Sequence, residues 1–232
     1  YWAFWGGLKE LNAPAFYGEP KDFSFEYHPG SRAYSGVSFS LSGSSAYLFG
    51  GDYFADIWKF ESDKGWAFWD GTIEKISPIP GTKRKTNQTN KIGASLSSLI
   101  VVDEFENIWI FGGYSLLPQS SSAGLFLTKR SLIHLGIVNT LWVYDQENFT
   151  WMEGDPNATN IADKKETEAG ILSSSNWPGS YAHGISFIDN QGFMNLFVLY
   201  NINPSNTLWQ IGWGHECFGK SICRNNISEV CS

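Results

Sequence analysis

The groups from which a reactive centre would have to be built are few and scattered. The four histidines are His28, His134, His183 and His215, and none lies at a metal-ligand or catalytic spacing from another. His28 precedes a Pro-Gly turn and His183 falls in a strand position, so both read as structural or surface imidazoles. No His-Glu-x-x-His pair, Gly-x-Ser-x-Gly elbow or phosphate-cradling loop is present. Asp103, Glu104 and Glu106 are close enough in sequence to offer oxygens to calcium, but their position ahead of Ile108 reads as a solvated hairpin turn. Cys217, Cys223 and Cys231 all lie near the carboxy terminus. A zinc site there would have only His215 to join them, at a spacing that fits no common zinc pattern. The expectation is a non-enzymatic chain with no catalytic residues, metal or cofactor.

The overall charge excludes one class of partner. With a net charge of −7 and a pI of about 5.1, the chain lacks the basic face that phosphate contacts require, so no nucleic-acid partner is expected. Lys83-Arg84-Lys85, with Lys91 nearby, reads as a solvated loop. No apolar run approaches the roughly 20 residues that span a bilayer as a helix. The chain opens with Tyr1-Trp2, which leaves open a secretion signal already removed or lying upstream.

Four motifs recur in one order and give the chain its organisation. Trp2-Ala3-Phe4-Trp5-Gly6-Gly7 returns as Trp66-Ala67-Phe68-Trp69-Asp70-Gly71, with a weaker copy at Trp151-Met152-Glu153-Gly154. Pro29-Gly30-Ser31 returns at Pro178-Gly179-Ser180 and loosely at Ile92-Gly93-Ala94. Tyr47-Leu48-Phe49-Gly50-Gly51 returns as Trp109-Ile110-Phe111-Gly112-Gly113, and a third copy, Phe197-Val198-Leu199-Tyr200-Asn201, has lost both glycines. Ile57-Trp58-Lys59-Phe60 returns as Leu141-Trp142-Val143-Tyr144 and Leu208-Trp209-Gln210-Ile211. Trp2 to Gly30, Trp66 to Gly93 and Trp151 to Gly179 span 28, 27 and 28 positions. One interval breaks the pattern: Gly113 is 29 positions from Trp142, where Gly51 is 7 from Trp58. The excess, Tyr114 to about Val138, reads as an inserted loop, which a surface connection tolerates at small entropic cost.

Each unit reads as four antiparallel strands, in the first case Ala33–Leu41, Ala46–Gly50, Asp56–Phe60 and Trp66–Trp69. Val37, Phe39 and Leu41 alternate with Ser38 and Ser40 at the period of a strand with one buried face. Ser42-Gly43-Ser44-Ser45 and Ser62-Asp63-Lys64-Gly65 read as turns. Trp58, Trp142 and Trp209 occupy equivalent positions, so a shared packing role is expected. Trp5, Trp69 and Trp177 are freer and are the candidates for stacking on sugars.

The four-strand units, with a Phe-Gly-Gly step, an aromatic residue past the strand-three tryptophan and a tryptophan opening strand four, resemble kelch repeats over residues 1–213. The resemblance implies an all-β fold of kelch-type β-propeller blades, with Gly50, Gly51, Gly112, Gly113, Trp2, Trp58, Trp66, Trp142, Trp151 and Trp209 as its structural positions. Propellers take about four to eight blades, whereas this stretch supplies three and a lone strand four. It therefore reads as part of a larger propeller, although Trp2–Trp5 could instead complete the third unit. Galactose oxidase shares the propeller but needs a cysteine in its blades, and none stands there. Residues 214–232, with the form Cys217-x-Gly219-x-x-x-Cys223 and then Cys231, resemble the start of an EGF-like module. That implies disulfides, with an odd cysteine left for a partner beyond the stretch.

Four sequons stand at Asn87, Asn148, Asn157 and Asn226, and the first three fall in turns or loops expected to face solvent. Together these features lead to an extracellular, N-glycosylated scaffold. Its contacts with other proteins, or with copies of itself, are expected through blade faces and the 114–138 insert, above all Leu125-Phe126-Leu127 and Leu132-Ile133-His134-Leu135. A carbohydrate-binding propeller is the alternative, and a fragment of a catalytic propeller a more remote one.

Overall fold

The computed structural model describes residues 8–116, 125–128, 131–157, 159–161, 176–200 and 207–211. Their short alternating runs, broken by Gly, Asn and Ser, form strands throughout, and among the described residues there is no helix. The first sheet is an antiparallel meander of β1 (Gly36–Phe39), β2 (Ser45–Phe49), β3 (Ala55–Glu61) and β4 (Gly65–Thr72). Then follow β5 (Ser95–Leu96), β6 (Leu99–Val102), β7 (Ile108–Phe111), β8 (Tyr114–Leu116), β9 (Leu125–Thr128), β10 (Ser131–Ile137), β11 (Leu141–Tyr144) and β12 (Phe149–Glu153). Strands β6, β7, β11 and β12 make the second sheet, again in meander order. The third sheet has three strands, β13 (Ala182–Ile188), β14 (Met194–Tyr200) and β15 (Thr207–Ile211).

The excess residues are not a loop. They supply β8, β9 and β10, which join β5 in a separate four-stranded sheet of order β5-β8-β10-β9. The insert therefore leaves the second sheet between β7 and β11 without disturbing their pairing, Ile110 opposite Trp142. Its stem is integral, because β8 pairs with β5 and both Ile137 and Val138 are buried.

The three large sheets stack face to face, and the repeat register fixes which residues meet. Tyr47, Phe49 and Ile57 of the first sheet pack against Ile100, Val102, Ile108, Ile110, Trp142, Tyr144 and Phe149 of the second. On the second sheet's other face, Leu99, Val101, Trp109, Phe111, Leu141, Val143 and Met152 meet Met194, Leu196 and Val198 of the third. The second sheet is thus covered on both faces, and all four residues of β7 are buried. Each fully buried Trp, Phe or Ile in these seams contributes roughly 1.5–3 kcal/mol of apolar transfer free energy.

Pairing corrects two of the sequence alignments. Phe49 lies opposite Ile57, Phe111 opposite Leu141 and Phe197 opposite Leu208. The third copy of the Phe-Gly-Gly step is therefore Phe197-Val198-Leu199, and β14 runs on through it. Trp66 pairs with Phe60, whereas Trp151 pairs with Trp142. The counterpart of Trp66 is thus Phe149, and that of Trp151 is Phe68. The turn after strand three is one residue shorter in the second sheet, and Trp151 lies two residues beyond Phe149 on the same face of β12. Both strand-three and strand-four pairs carry an irregularity at the same place, between Ile57 and Trp58 and between Leu141 and Trp142.

The period-two pattern of the first strand is right, but its buried face is inverted. Val37, Phe39 and Leu41 are exposed at 55%, 65% and 57%, while Gly36 is buried. At Gly36 a Cβ would stand 2.7 Å from the Ser98 carbonyl oxygen, so only a residue without a side chain fits between the first and second sheets there. The edge strands β4 and β12 are each covered by the connection that precedes their sheet. Ser24 bridges Trp66, and the Arg84 amide donates to the Trp151 carbonyl.

Two glycines set how closely successive repeats approach. Gly50 sits at φ 63°, and a Cβ there would lie 2.9 Å from the Ser95 carbonyl oxygen of the next repeat. Gly112, at φ 64°, holds the same position against Tyr181. Gly50→Ala should lower the unfolding free energy by about 3 kcal/mol in urea titration, from left-handed strain plus collision. Gly43→Ala, at φ 72° in open space, should cost only about 1 kcal/mol. Equal losses at the two sites would refute the close-approach reading.

Candidate interaction site along the first strands

The three sheets touch chiefly through their first strands, β1 against β6 and β6 against β13. Just before or at the start of each strand one residue adopts a left-handed conformation: Tyr34 at φ 62°, Ser97 at φ 57° and His183 at φ 62°. All three stand four positions after the glycine of the Pro-Gly motif. Their backbones are linked in series, the Ser97 amide donating to the Tyr34 carbonyl at 2.7 Å and the His183 amide to the Ser97 carbonyl at 3.3 Å. The Gly-Gly steps add a second series. The Gly51 amide donates to Ser95 at 3.0 Å and the Gly113 amide to Tyr181 at 2.7 Å.

A groove of about 440 Å³ follows this line of contact, walled by Tyr34, Val37, Ser97, His183, Ile185 and Leu199 among others. The His183 ring is met edge-on by Tyr34 and Tyr114, with centroids 5.8 and 6.1 Å away. The hydroxyls along the groove are engaged by carbonyls: Ser35 donates to Gly50, Ser98 to Gly112 and Ser186 to Ile100. The groove offers apolar wall and aromatic edges, which suit binding by shape and burial.

A second polar cluster lies at the edge of the first sheet. Arg32 grips Asp56 with both guanidinium nitrogens, at 2.7 and 3.1 Å, and the pair is almost fully buried. Tyr17 Oη and Trp58 Nε1 each donate to the same carboxylate at 2.8 Å. With four donors, Asp56 is saturated and serves as a structural anchor rather than a reactive group. The third repeat fills the equivalent positions with a neutral pair, Tyr181 Oη and Thr207 Oγ1 at 3.1 Å.

A third cluster ties the first sheet to the second. Tyr47 donates to Glu106 at 2.8 Å, Tyr144 to Asp70 at 2.6 Å and Trp69 to Gln146 at 2.7 Å. Lys59 lies over the Tyr47 and Trp69 rings. Burial first, and the neighbouring carboxylate second, push the Tyr47 and Tyr144 phenols above their ordinary range; Tyr17 shifts the same way beside Asp56.

The residues singled out in the sequence fall as follows. Asp103 caps its hairpin, accepting from the Phe105 and Asn107 amides, from Asn107 Nδ2 and from Trp109 Nε1, each at 2.9 Å. Its counterpart Asp189 accepts from Gln191, Phe193, Asn195 and Gln210. Asn87 and Asn157 are exposed, and Asn148 is half-buried in the turn between β11 and β12. Trp58 and Trp142 are buried, and Trp209 packs against the seam of the second and third sheets. Two of the sugar-stacking candidates are engaged in packing: Trp69 lies on the first seam, and Trp177 on the second, where it meets Phe111. Among the described residues no three His, Cys, Asp or Glu side chains gather as a metal site, and no helix is long and apolar enough to cross a membrane. Trp2, Trp5, His215, Cys217, Cys223, Cys231, Asn226 and the side chains of Leu125–Leu127 and Leu132–Leu135 lie outside what is described.

No protein-family profile and no curated protein matches this chain.

Sequence reasoning missed the left-handed positions Tyr34, Ser97 and His183, because their residue types differ. A constant offset of four from the motif glycine is the signal that would have found them. It also missed the Arg32–Asp56 pair, which occurs in one repeat only.

Asp56→Ala should cost about 3–5 kcal/mol in urea unfolding, because it strands a buried guanidinium. The double variant Arg32→Met, Asp56→Leu should recover much of that loss. The raised phenols stabilise the fold below the unfolded tyrosine pKa of about 10, and this contribution is lost as pH rises above it. Tyrosinate absorbance should therefore lag in the native chain relative to the urea-unfolded chain above pH ~10. Tyr47→Phe and Tyr144→Phe should each reduce the lag.

Proposed function

We propose that the chain is a kelch-type β-propeller segment acting as an extracellular, non-enzymatic scaffold for protein contacts. The observation that carries this reading is the serial backbone linkage of Tyr34, Ser97 and His183. Three repeats of unlike sequence make the same inter-repeat bonds, which is what a ring of equivalent blades demands. A scaffold needs a rigid frame and a variable surface. The buried seams supply the first, and the insert beyond β8 supplies the second. Its β9–β10 hairpin, Leu125 opposite His134 and Leu127 opposite Leu132, is the candidate contact element.

The extracellular part rests on separate features. Asn87 and Asn157 stand exposed where a glycan meets no packed surface. The sheets contain no cysteine, so oxidation in a secretory compartment threatens no core thiol. Cys217, Cys223 and Cys231 then belong to an EGF-like disulfide module that follows the propeller. No cofactor is called for, and the engaged hydroxyls and saturated Asp56 carboxylate fit a binding role better than a catalytic one.

Expression through a eukaryotic secretory pathway tests this. The product should lose mass on N-glycanase treatment, with Asn87→Gln and Asn157→Gln each removing one glycan, and Cys217 and Cys223 should resist alkylation until reduced. Secretion of an unglycosylated chain with free thiols would defeat the extracellular reading.

A further inference from the structure

The basic run Lys83-Arg84-Lys85 has no part in the scaffold described so far. It stands in the connection between β4 and β5, within residues 81–89, the longest exposed stretch among the described residues. The Lys85 amide donates to the Thr82 carbonyl at 3.1 Å and Arg84 sits at φ 60°, so Lys83 and Arg84 form the tip of a tight turn. Exposed loop tips are the places where a folded chain is nicked. Among the described residues no other basic residues are neighbours in sequence.

The turn is fastened firmly at its base and lightly at its tip. Ile79 and Lys91 exchange two backbone hydrogen bonds of 2.8 Å, and the buried Asn90 donates from Nδ2 to the Phe149 carbonyl at 3.0 Å. Nearer the tip, the Arg84 amide donates to the Trp151 carbonyl at 2.7 Å, and the Thr86 and Thr150 hydroxyls meet at 2.9 Å. Both basic side chains of the tip end on one carboxylate. Lys83 Nζ pairs with Glu153 Oε1, and Arg84 with Glu153 Oε2 at 3.0 Å. Ion pairs at the surface are individually weak. The tip can therefore open without unpairing a sheet, since β4 ends at Thr72 and β5 begins at Ser95.

We infer that the Arg84–Lys85 peptide bond is a processing site for a serine endoprotease that reads paired basic residues, and that Glu153 holds the pair until the turn opens. The inference rests on the extracellular reading above, which brings the chain to secretory-compartment proteases of this class. Such an enzyme binds its substrate extended and receives a basic side chain in a pocket that carries a carboxylate. Lys83 and Arg84 exchange the Glu153 carboxylate for those of the enzyme. Water adds across the bond, leaving a carboxylate on Arg84 and an ammonium on Lys85. The two parts stay together, because Tyr47, Phe49 and Ile57 remain packed against Ile100, Val102 and Ile108. The cut falls in the segment that covers the edge of β12, so cleavage loosens that cover. Asn87 is the third residue past Arg84, and a glycan there stands over the same turn and slows the enzyme.

The experiment uses the full chain, secreted from a eukaryotic host and incubated in its native state with a purified subtilisin-type endoprotease of Lys-Arg specificity. Amino-terminal sequencing should find a new end at Lys85-Thr86-Asn87, and the nicked product should sediment as one particle that separates only in denaturant. Arg84→Gln should abolish that end. Glu153→Gln should speed its appearance about three- to tenfold, because cleavage follows the population of the open segment and two weak ion pairs are lost. Asn87→Gln should speed it as well. A native chain that yields no Lys85 end, while a peptide spanning residues 78–91 is cut, overturns the inference and leaves the extracellular reading standing. An unchanged rate in Glu153→Gln overturns the holding role of Glu153. A secreted chain that carries no N-glycan yet is cut at Arg84–Lys85 overturns the extracellular reading and upholds the site.

Discussion

The contact on which the rest depends is made by backbone, not by side chains. At the start of each first strand an amide of one repeat donates to a carbonyl of the repeat before it, at Ser97–Tyr34 and His183–Ser97. The Gly-Gly steps reach forward in the same way, to Ser95 and Tyr181. A backbone polar group buried without a partner costs about as much as a lost hydrogen bond. Satisfying these groups from the neighbouring repeat therefore fixes both the spacing and the rotation of successive sheets. Left-handed backbone at Tyr34, Ser97 and His183 is the local strain accepted to make that geometry.

Once that seam is set, side chains fill the space between the sheets. Close to the seam the first sheet tolerates only Gly36 against Ser98. Elsewhere in this seam the space takes Trp142, Tyr144 and Trp69. At the periphery, tyrosine hydroxyls and acidic residues replace apolar contact, in Tyr47–Glu106 and Tyr144–Asp70. Aromatic side chains suit this gradient because the ring packs while the polar tip finds a partner across the interface. Trp69 and Trp177 lie in the two seams in this way, as packing and not as open platforms for sugar.

Turns, strand content and repeat order were legible because they are local. Gly43 and Gly192 mark hairpin turns by their left-handed backbone, and the tryptophans of strand three keep one offset from their apolar neighbours. Register was less legible. Phe197-Val198-Leu199 and Trp151 were displaced by two residues, a shift that keeps each side chain on the same face of a period-two strand and so leaves the motif recognisable. The insert was misread for a related reason: a segment that pairs with distant β5 carries no local mark of its partner.

The amino-acid sequence alone determined the all-β class, the three-fold repetition and the places where the chain must turn, because these follow from period-two alternation and glycine chemistry within a few residues. Tertiary structure decided which face of each sheet is covered. Val37 and Phe39 look like core, yet they lie open, and Gly36 beside them is buried. The alternation specifies that one face is apolar, but only the position of a sheet within the stack determines whether another sheet lies against it.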